Sequence, residues 1–217
     1  MSRCRIRNRP EFLTGTLPCN GTVVQCNLSC NEQIEKGDDR VRIRKGTTAD
    51  LDGIECIYNE IHSEEEKGTV RTGWLRGVYP VRATAQSALQ RDDLFVMEED
   101  GQIYGAAIIN RIQVYVYAKG NWRHTVPDDK VCVMHTLVIS PKAGGRGLGR
   151  QFLQFYENYA LENGMPELRI DTNETNARAR ALYRKLGYEE IGIEPTSFNG
   201  IPDVNLVLLE KYLETRQ

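Results

Sequence analysis

"SPKAGGRGLGRQF" (140–152) packs four glycines around two arginines just after a proline. Upstream, "VCVMHTLVI" (131–139) is apolar and β-branched enough for a buried strand. Downstream, Leu148, Phe152, Phe155 and Tyr159 recur at helical spacing, and Asn163-Gly164 supply a stop. The stretch reads as strand, glycine loop and helix. A helix start exposes unpaired N–H groups and a partial positive charge, which attract phosphate. Glycines let the backbone curl around such an anion without Cβ clashes. Two familiar phosphate loops fail. A GxGxxG pattern begun at Gly145 meets Arg150, and a Walker A loop would need Lys-Ser/Thr where Arg150-Gln151 follow Gly149. On the loop alone, a plain glycine-rich connection remains the bland alternative.

A second motif lies about thirty residues on. In "DTNETNARARALYRKLGY" (171–188), Asn176, Ala179 and Tyr183 are spaced i, i+3, i+7 and share one helix face. That face carries an amide able to bond a ligand amide, a methyl-sized gap for a slender chain, and a phenol able to give a proton. The bland reading is a tyrosine half-buried at a helix end.

Together the two motifs resemble the GNAT superfamily of N-acetyltransferases, from about residue 40 to 212. The family's (Gln/Arg)-x-x-Gly-x-(Gly/Ala) loop is met by Gly147 and Gly149 after Pro141, with Gly144 in the slot of the Gln or Arg. Its Asn-x-x-Ala-x-x-x-Tyr motif, followed by Gly-(Phe/Tyr), is met by Asn176, Ala179, Tyr183, Gly187 and Tyr188. The resemblance implies an α/β fold: a single GNAT-like domain with a mixed central sheet of about six to seven strands flanked by about four helices. That domain is expected at 39–213, behind an N-terminal extension at 1–38.

The same resemblance implies acetyl-CoA as co-substrate. Its pyrophosphate would lie on the amides of Gly144, Gly145, Arg146, Gly147, Leu148, Gly149 and Arg150. Asn176, Ala179 and Tyr183 would line the donor site, and pantetheine would run beside Leu137, Val138 and Ile139, splayed by a β-bulge. A backbone N–H freed there would stabilise the oxyanion, a contribution often worth ~3 kcal/mol. Tyr183 would protonate the departing thiolate.

The acceptor amine needs a base, because a lysine-like amine of pKa ~10.4 is only about 10⁻³ unprotonated at pH 7. His135 is the first candidate, since histidine titrates near neutrality and a similar branch of the superfamily carries histidines on this strand. A hydrogen-bonded core histidine is the competing reading. The acidic run Glu64, Glu65 and Glu66 is the second candidate, against a solvated helix end. The loops "HSEEEKGTVRTGWLRGVYP" (62–80) and "PTSFNGIPD" (195–203) offer Trp74, Tyr79 and Phe198 as walls, with Glu64 and Glu65 as substrate-binding acids. Acidic and aromatic together, they favour a small cationic amine. A protein N-terminus or lysine, or a non-catalytic acyl-CoA sensor, are the alternatives.

Composition narrows the class. The charged and hydrophobic fractions, 27% and 40%, are ordinary for a globular chain. A net charge of −2 argues against nucleic acid as partner, and no apolar run approaches the ~18 residues of a membrane span. The basic N-terminus lacks an apolar h-region, so a cytoplasmic enzyme is expected, with a homodimer left open. Cys4, Cys19, Cys26 and Cys30 form no CxxC pair and match no zinc template, so no metal is expected.

Patterning sets the order of elements. A strand is expected at 40–46, and a helix capped by Asp50 with a stripe of Leu51, Ile54, Ile57, Tyr58 and Ile61. A helix near 81–90 follows, then two strands through "DLFVMEEDGQIYGAAIINRIQVYV" joined at Asp100-Gly101. After an irregular stretch at 117–130 come the strand–loop–helix unit, a strand at "ELRIDT", a helix, and strands at "YEEIGIE" and "DVNLVLLE".

Overall fold

A computed structural model describes residues 40–214. The extension expected at 1–38, with its four cysteines and a hairpin through "TVVQCNL", lies outside the described residues. In chain order the elements are β1 (Arg42–Lys45), α1 (Leu51–Glu66), α2 (Arg82–Gln90), β2 (Leu94–Glu99), β3 (Gln102–Asn110), β4 (Val131–Ile139), α3 (Leu148–Glu162), β5 (Glu167–Asn173), α4 (Ala177–Lys185), β6 (Glu189–Phe198) and β7 (Ile201–Tyr212). One mixed sheet runs β1-β2-β3-β4-β5-β7-β6. Only β4 and β5 pair parallel, as a crossover through a helix requires.

Side-chain alternation sorts the core into two layers. Phe95, Met97, Ala107, Ile109, Cys132, Met134, Leu168, Ile170, Val207 and Leu209 pack under α3 and α4. Leu94, Val96, Ala106, Ile108 and Val138 face the opposite way, under α1 and α2. Further along that second face, Val131, Val133, Leu206 and Leu208 meet Val116 and Tyr117 from the irregular segment between β3 and β4.

Several local expectations shift. Asp50 does not cap α1; a 3₁₀ turn at Thr48–Asp50 precedes the helix. Its carboxylate reaches back to accept from the Thr47 N–H at 2.7 Å and to pair with the Arg44 guanidinium at 2.7 and 2.9 Å. β3 ends at Asn110 and does not continue to residue 116. Asn110 Oδ1 accepts from the Ile112 N–H at 2.8 Å, an Asx turn that draws the chain out of the ladder. "PTSFNGIPD" is a β-hairpin: β6 and β7 pair out to Phe198–Ile201 around Asn199-Gly200, both at positive φ.

Candidate active site

β4 and β5 pair only from Val131–Glu167 to Met134–Ile170, and beyond that point the two parallel strands separate. Between Ile108–His135 and Ala106–Val138, β4 carries one more residue than β3. Thr136, at φ +51°, marks this bulge. The extra residue shifts the phase, so that His135 and Val138 lie on the same face. Backbone groups of β4 past Met134 have no partner strand on the β5 side. The splay opens a cavity of about 970 Å³, lined at one end by the glycine loop and at the other by Trp74, Tyr79 and Phe198.

At the glycine end, Gly147 is the N-cap position just before α3; it holds φ +73° and contributes no side-chain cap. The Gln151 N–H reaches the Gly147 carbonyl at 3.1 Å, so the amides of the first turn before it have no intrahelical acceptor. A Cβ at Gly145 or Gly147 would meet no atom within 4 Å, so the space beside these amides is open. Gly144, Gly145, Gly147, Leu148, Gly149 and Arg150 line the cavity. Arg146 turns away to Glu99, at 2.8 Å. Gly149 has a packing reason to be glycine: its Cβ would come 3.3 Å from Leu182 of α4. Leu137, Val138 and Ile139 line the middle of the cavity together with Ala179 and Tyr183. These residues fit a long donor with an anionic head and a slender arm.

Asn176 lines the cavity but is also the N-cap of α4. Its Oδ1 accepts from the Ala179 N–H at 3.2 Å and its Nδ2 donates to Thr172 Oγ1 at 3.2 Å. The motif asparagine thus orients the helix that carries Tyr183. Tyr183 is buried, with its ring in the cavity wall. Burial first, and the Asp171 charge second, hold its hydroxyl well above the ordinary tyrosine range, so it remains a donor.

His135 is half-buried in the cavity wall, with Nε2 3.2 Å from Asn110 Oδ1. Burial pushes its ring down to about 4, against the opposing pull of the Ile112 carbonyl and Asp93. A ring expected to titrate near neutrality is therefore neutral there. Glu64 and Glu65 fall in the last turn of α1 and do not line the cavity. Glu65 accepts from the Thr72 N–H at 2.6 Å, Thr72 Oγ1 at 2.7 Å and the Gly73 N–H at 3.1 Å, so it anchors the loop that bears Trp74. Glu64 pairs with Lys67 at 2.8 Å.

Asp171 was not singled out by the sequence reading. It is the one carboxylate lining the cavity among the described residues. Tyr117 donates to its Oδ2 at 2.8 Å. Burial raises its carboxyl to about 6, and the Tyr117 bond opposes that rise. Its charge in turn helps raise Tyr79, whose hydroxyl pairs with Thr136 Oγ1 and which burial pushes up to about 12. The only sequence signal was the alternation Glu167, Arg169, Asp171, which reads as a solvent face. The irregular segment between β3 and β4 covers it instead.

A cleft between splayed parallel strands, with an uncapped glycine-bounded helix start at one end, offers backbone donors and room to an extended anionic ligand. A sequence profile of the acetyltransferase (GNAT) family matches residues 56–188, more than half of the chain. The chain belongs to that family, whose members are N-acetyltransferases using acetyl-CoA. It is 24% identical over 152 residues to the uncharacterized N-acetyltransferase YhfO of Bacillus subtilis, covering 69% of this chain and 91% of that one. It is 25% identical over 108 residues to a streptothricin acetyltransferase of Escherichia coli, covering 50% of this chain and 59% of that one. Among solved structures it resembles a GNAT-family acetyltransferase of Streptococcus agalactiae, with a TM-score of 0.67 and 26% identity over 81% of this chain and 96% of that one.

Proposed function

We propose that this N-acetyltransferase acetylates the primary amine of a small cationic molecule, by direct attack on the thioester, with Asp171 as base and Tyr183 as acid. The observation that carries this reading is the pairing of one carboxylate and one buried tyrosine hydroxyl, held protonated, in a single walled cavity. When bound, acetyl-CoA supplies an acyl thioester. The glycine-loop amides would hold its pyrophosphate, and Leu137–Ile139 its pantetheine arm. Asp171, mostly ionised at pH 7, attracts the substrate ammonium and accepts its proton. General-base help of ~10²–10⁴ suits a nucleophile that is so scarce at pH 7. Tyr183 presents its O–H toward the departing thiolate. His135, held neutral, serves as a polar wall.

The enclosure of the acceptor end supports a small molecule over a protein chain end. The loop before α2 packs on the end of β5, where a Cβ at Gly73 would collide with the Asn173 amide. The tip of the β6–β7 hairpin meets the same loop, where a Cβ at Gly200 would lie 3.3 Å from Val78. The streptothricin acetyltransferase relative is named for a small-molecule acceptor, which agrees with this reading. The test is thiol release from acetyl-CoA across a panel of small primary amines and short peptides. Saturable turnover on the amines is expected; turnover confined to peptide N-termini or lysines would overturn the acceptor class.

A further inference from the structure

A second cluster of ionisable groups lies outside the cavity, at the start of β5 and the end of β7. Glu167 and Glu210 project from the same face of these neighbouring strands, where Glu167 sits opposite Tyr212 and Glu210 opposite Arg169. They are therefore diagonal neighbours, a costly place for two carboxylates. Both are buried, with 0% and 2% of the residue exposed. His124, from the irregular segment between β3 and β4, closes over them, its ring stacked on Tyr212 at 4.5 Å and 17°.

The polar contacts leave a specific gap. The Arg123 N–H donates to both Glu210 oxygens at 2.9 and 3.1 Å. Arg169 Nε meets Glu167 Oε1 at 3.3 Å. Glu167 Oε2 and His124 Nδ1, both buried, have no hydrogen-bond partner. They are 3.8 Å apart, and His124 Nδ1 is 4.0 Å from Glu210 Oε2. These separations are too long for a hydrogen bond. They match coordination: two atoms each about 2.0–2.2 Å from one ion lie about 3–4.4 Å apart. The three donor atoms all fall within 4.8 Å of one another.

We propose that His124, Glu167 and Glu210 bind one divalent transition-metal cation, which staples the segment between β3 and β4 to the sheet. One imidazole and two carboxylates, with no thiolate, suit such an ion better than Ca²⁺ or Mg²⁺, which prefer oxygen alone. The two carboxylates are already held in place: the Arg123 amide orients Glu210, and Arg169 orients Glu167, its guanidinium lying 3.8 Å over Trp122. The stapled segment also carries Tyr117, the hydrogen-bond donor to Asp171. The site would therefore steady the catalytic carboxylate without touching substrate.

The test uses the full chain, stripped with chelator and then dialysed against Co²⁺ alone. One equivalent is expected with the weak d–d bands of nitrogen and oxygen ligation, and Co²⁺ should raise the thermal midpoint. His124→Ala, at a half-exposed ring on an irregular segment, should weaken binding at least about tenfold and abolish the thermal shift. Glu167→Gln should do the same. Thiolate charge-transfer bands with unchanged binding in His124→Ala would assign the metal to cysteines and overturn the proposal. So would no Co²⁺ retention, with Glu167→Gln as stable as the parent; that outcome makes the carboxylates a proton-sharing pair.

Discussion

Asp171 sits among three tyrosines, hydrogen-bonded to Tyr117 and close enough to raise Tyr79 and Tyr183. Its carboxyl rises from 3.8 to about 6 because the folded chain favours the protonated form. Its stabilising contribution is therefore full below pH 3.8 and lost as pH rises through about 6. At pH 7 the ionised group costs on the order of 1–3 kcal/mol, allowing for its partial access to solvent. Asp171→Asn, which keeps an acceptor for Tyr117, should raise the melting temperature by a few degrees while lowering turnover ~10²–10⁴-fold. Calorimetry and steady-state kinetics on one preparation check both halves. Tyr183→Phe should lower kcat with little change in acetyl-CoA affinity, because a proton donor acts in the transition state. Equal loss of both would mark Tyr183 as a binding residue. Tyr183 was legible from motif spacing. Asp171 was not, because a charged residue alternating with Leu168 and Ile170 looks solvent-facing until another segment is known to cover it. His135 was legible in position but not in ionisation, since burial depends on segments distant in sequence.

At the scale of elements, periodicity located α1, α2, α3 and α4 and all seven strands, because each pairs an apolar stripe with nearby turn residues. It misjudged where β3 ends, since Arg111–Val116 alternates well enough for a strand while Asn110 turns the chain out. The tip of the β6–β7 hairpin reads as a loop in sequence because Asn199-Gly200 and two prolines interrupt the alternation, yet it pairs out to Phe198–Ile201. The bulge in β4 was legible only through the family resemblance; composition alone does not mark Thr136. Gly147 is the sharpest test of the loop. At φ +73° any other residue is strained, and a large side chain would also crowd the open amides. Gly147→Leu should abolish acetyl-CoA binding by calorimetry while circular dichroism stays unchanged; unaltered affinity would remove the loop from the donor site. Glu65 tests the acceptor side. Glu65→Ala frees the Thr72 and Gly73 amides, so the amine KM should rise several-fold while acetyl-CoA affinity holds. A matched fall in donor affinity would place that loop's role elsewhere.

At the scale of the molecule, a seven-stranded sheet with helices on both faces builds the core from residues 40–214. No helix among the described residues is long and apolar enough to cross a membrane. A chain beginning at Asp39 should therefore fold and bind acetyl-CoA with the parent's affinity; aggregation would show that residues 1–38 belong to the fold. In the proposed mechanism a carboxylate in this cavity, and not the histidine beside it, takes the amine's proton. The pH dependence of kcat/KM on the best small amine tests it most directly, in the parent, Asp171→Asn and His135→Gln. The parent rate should rise with pH through about 6, where Asp171 ionises, and His135→Gln should keep that limb. Asp171→Asn should lose it. A limb that survives Asp171→Asn and vanishes in His135→Gln would instead return the base to His135.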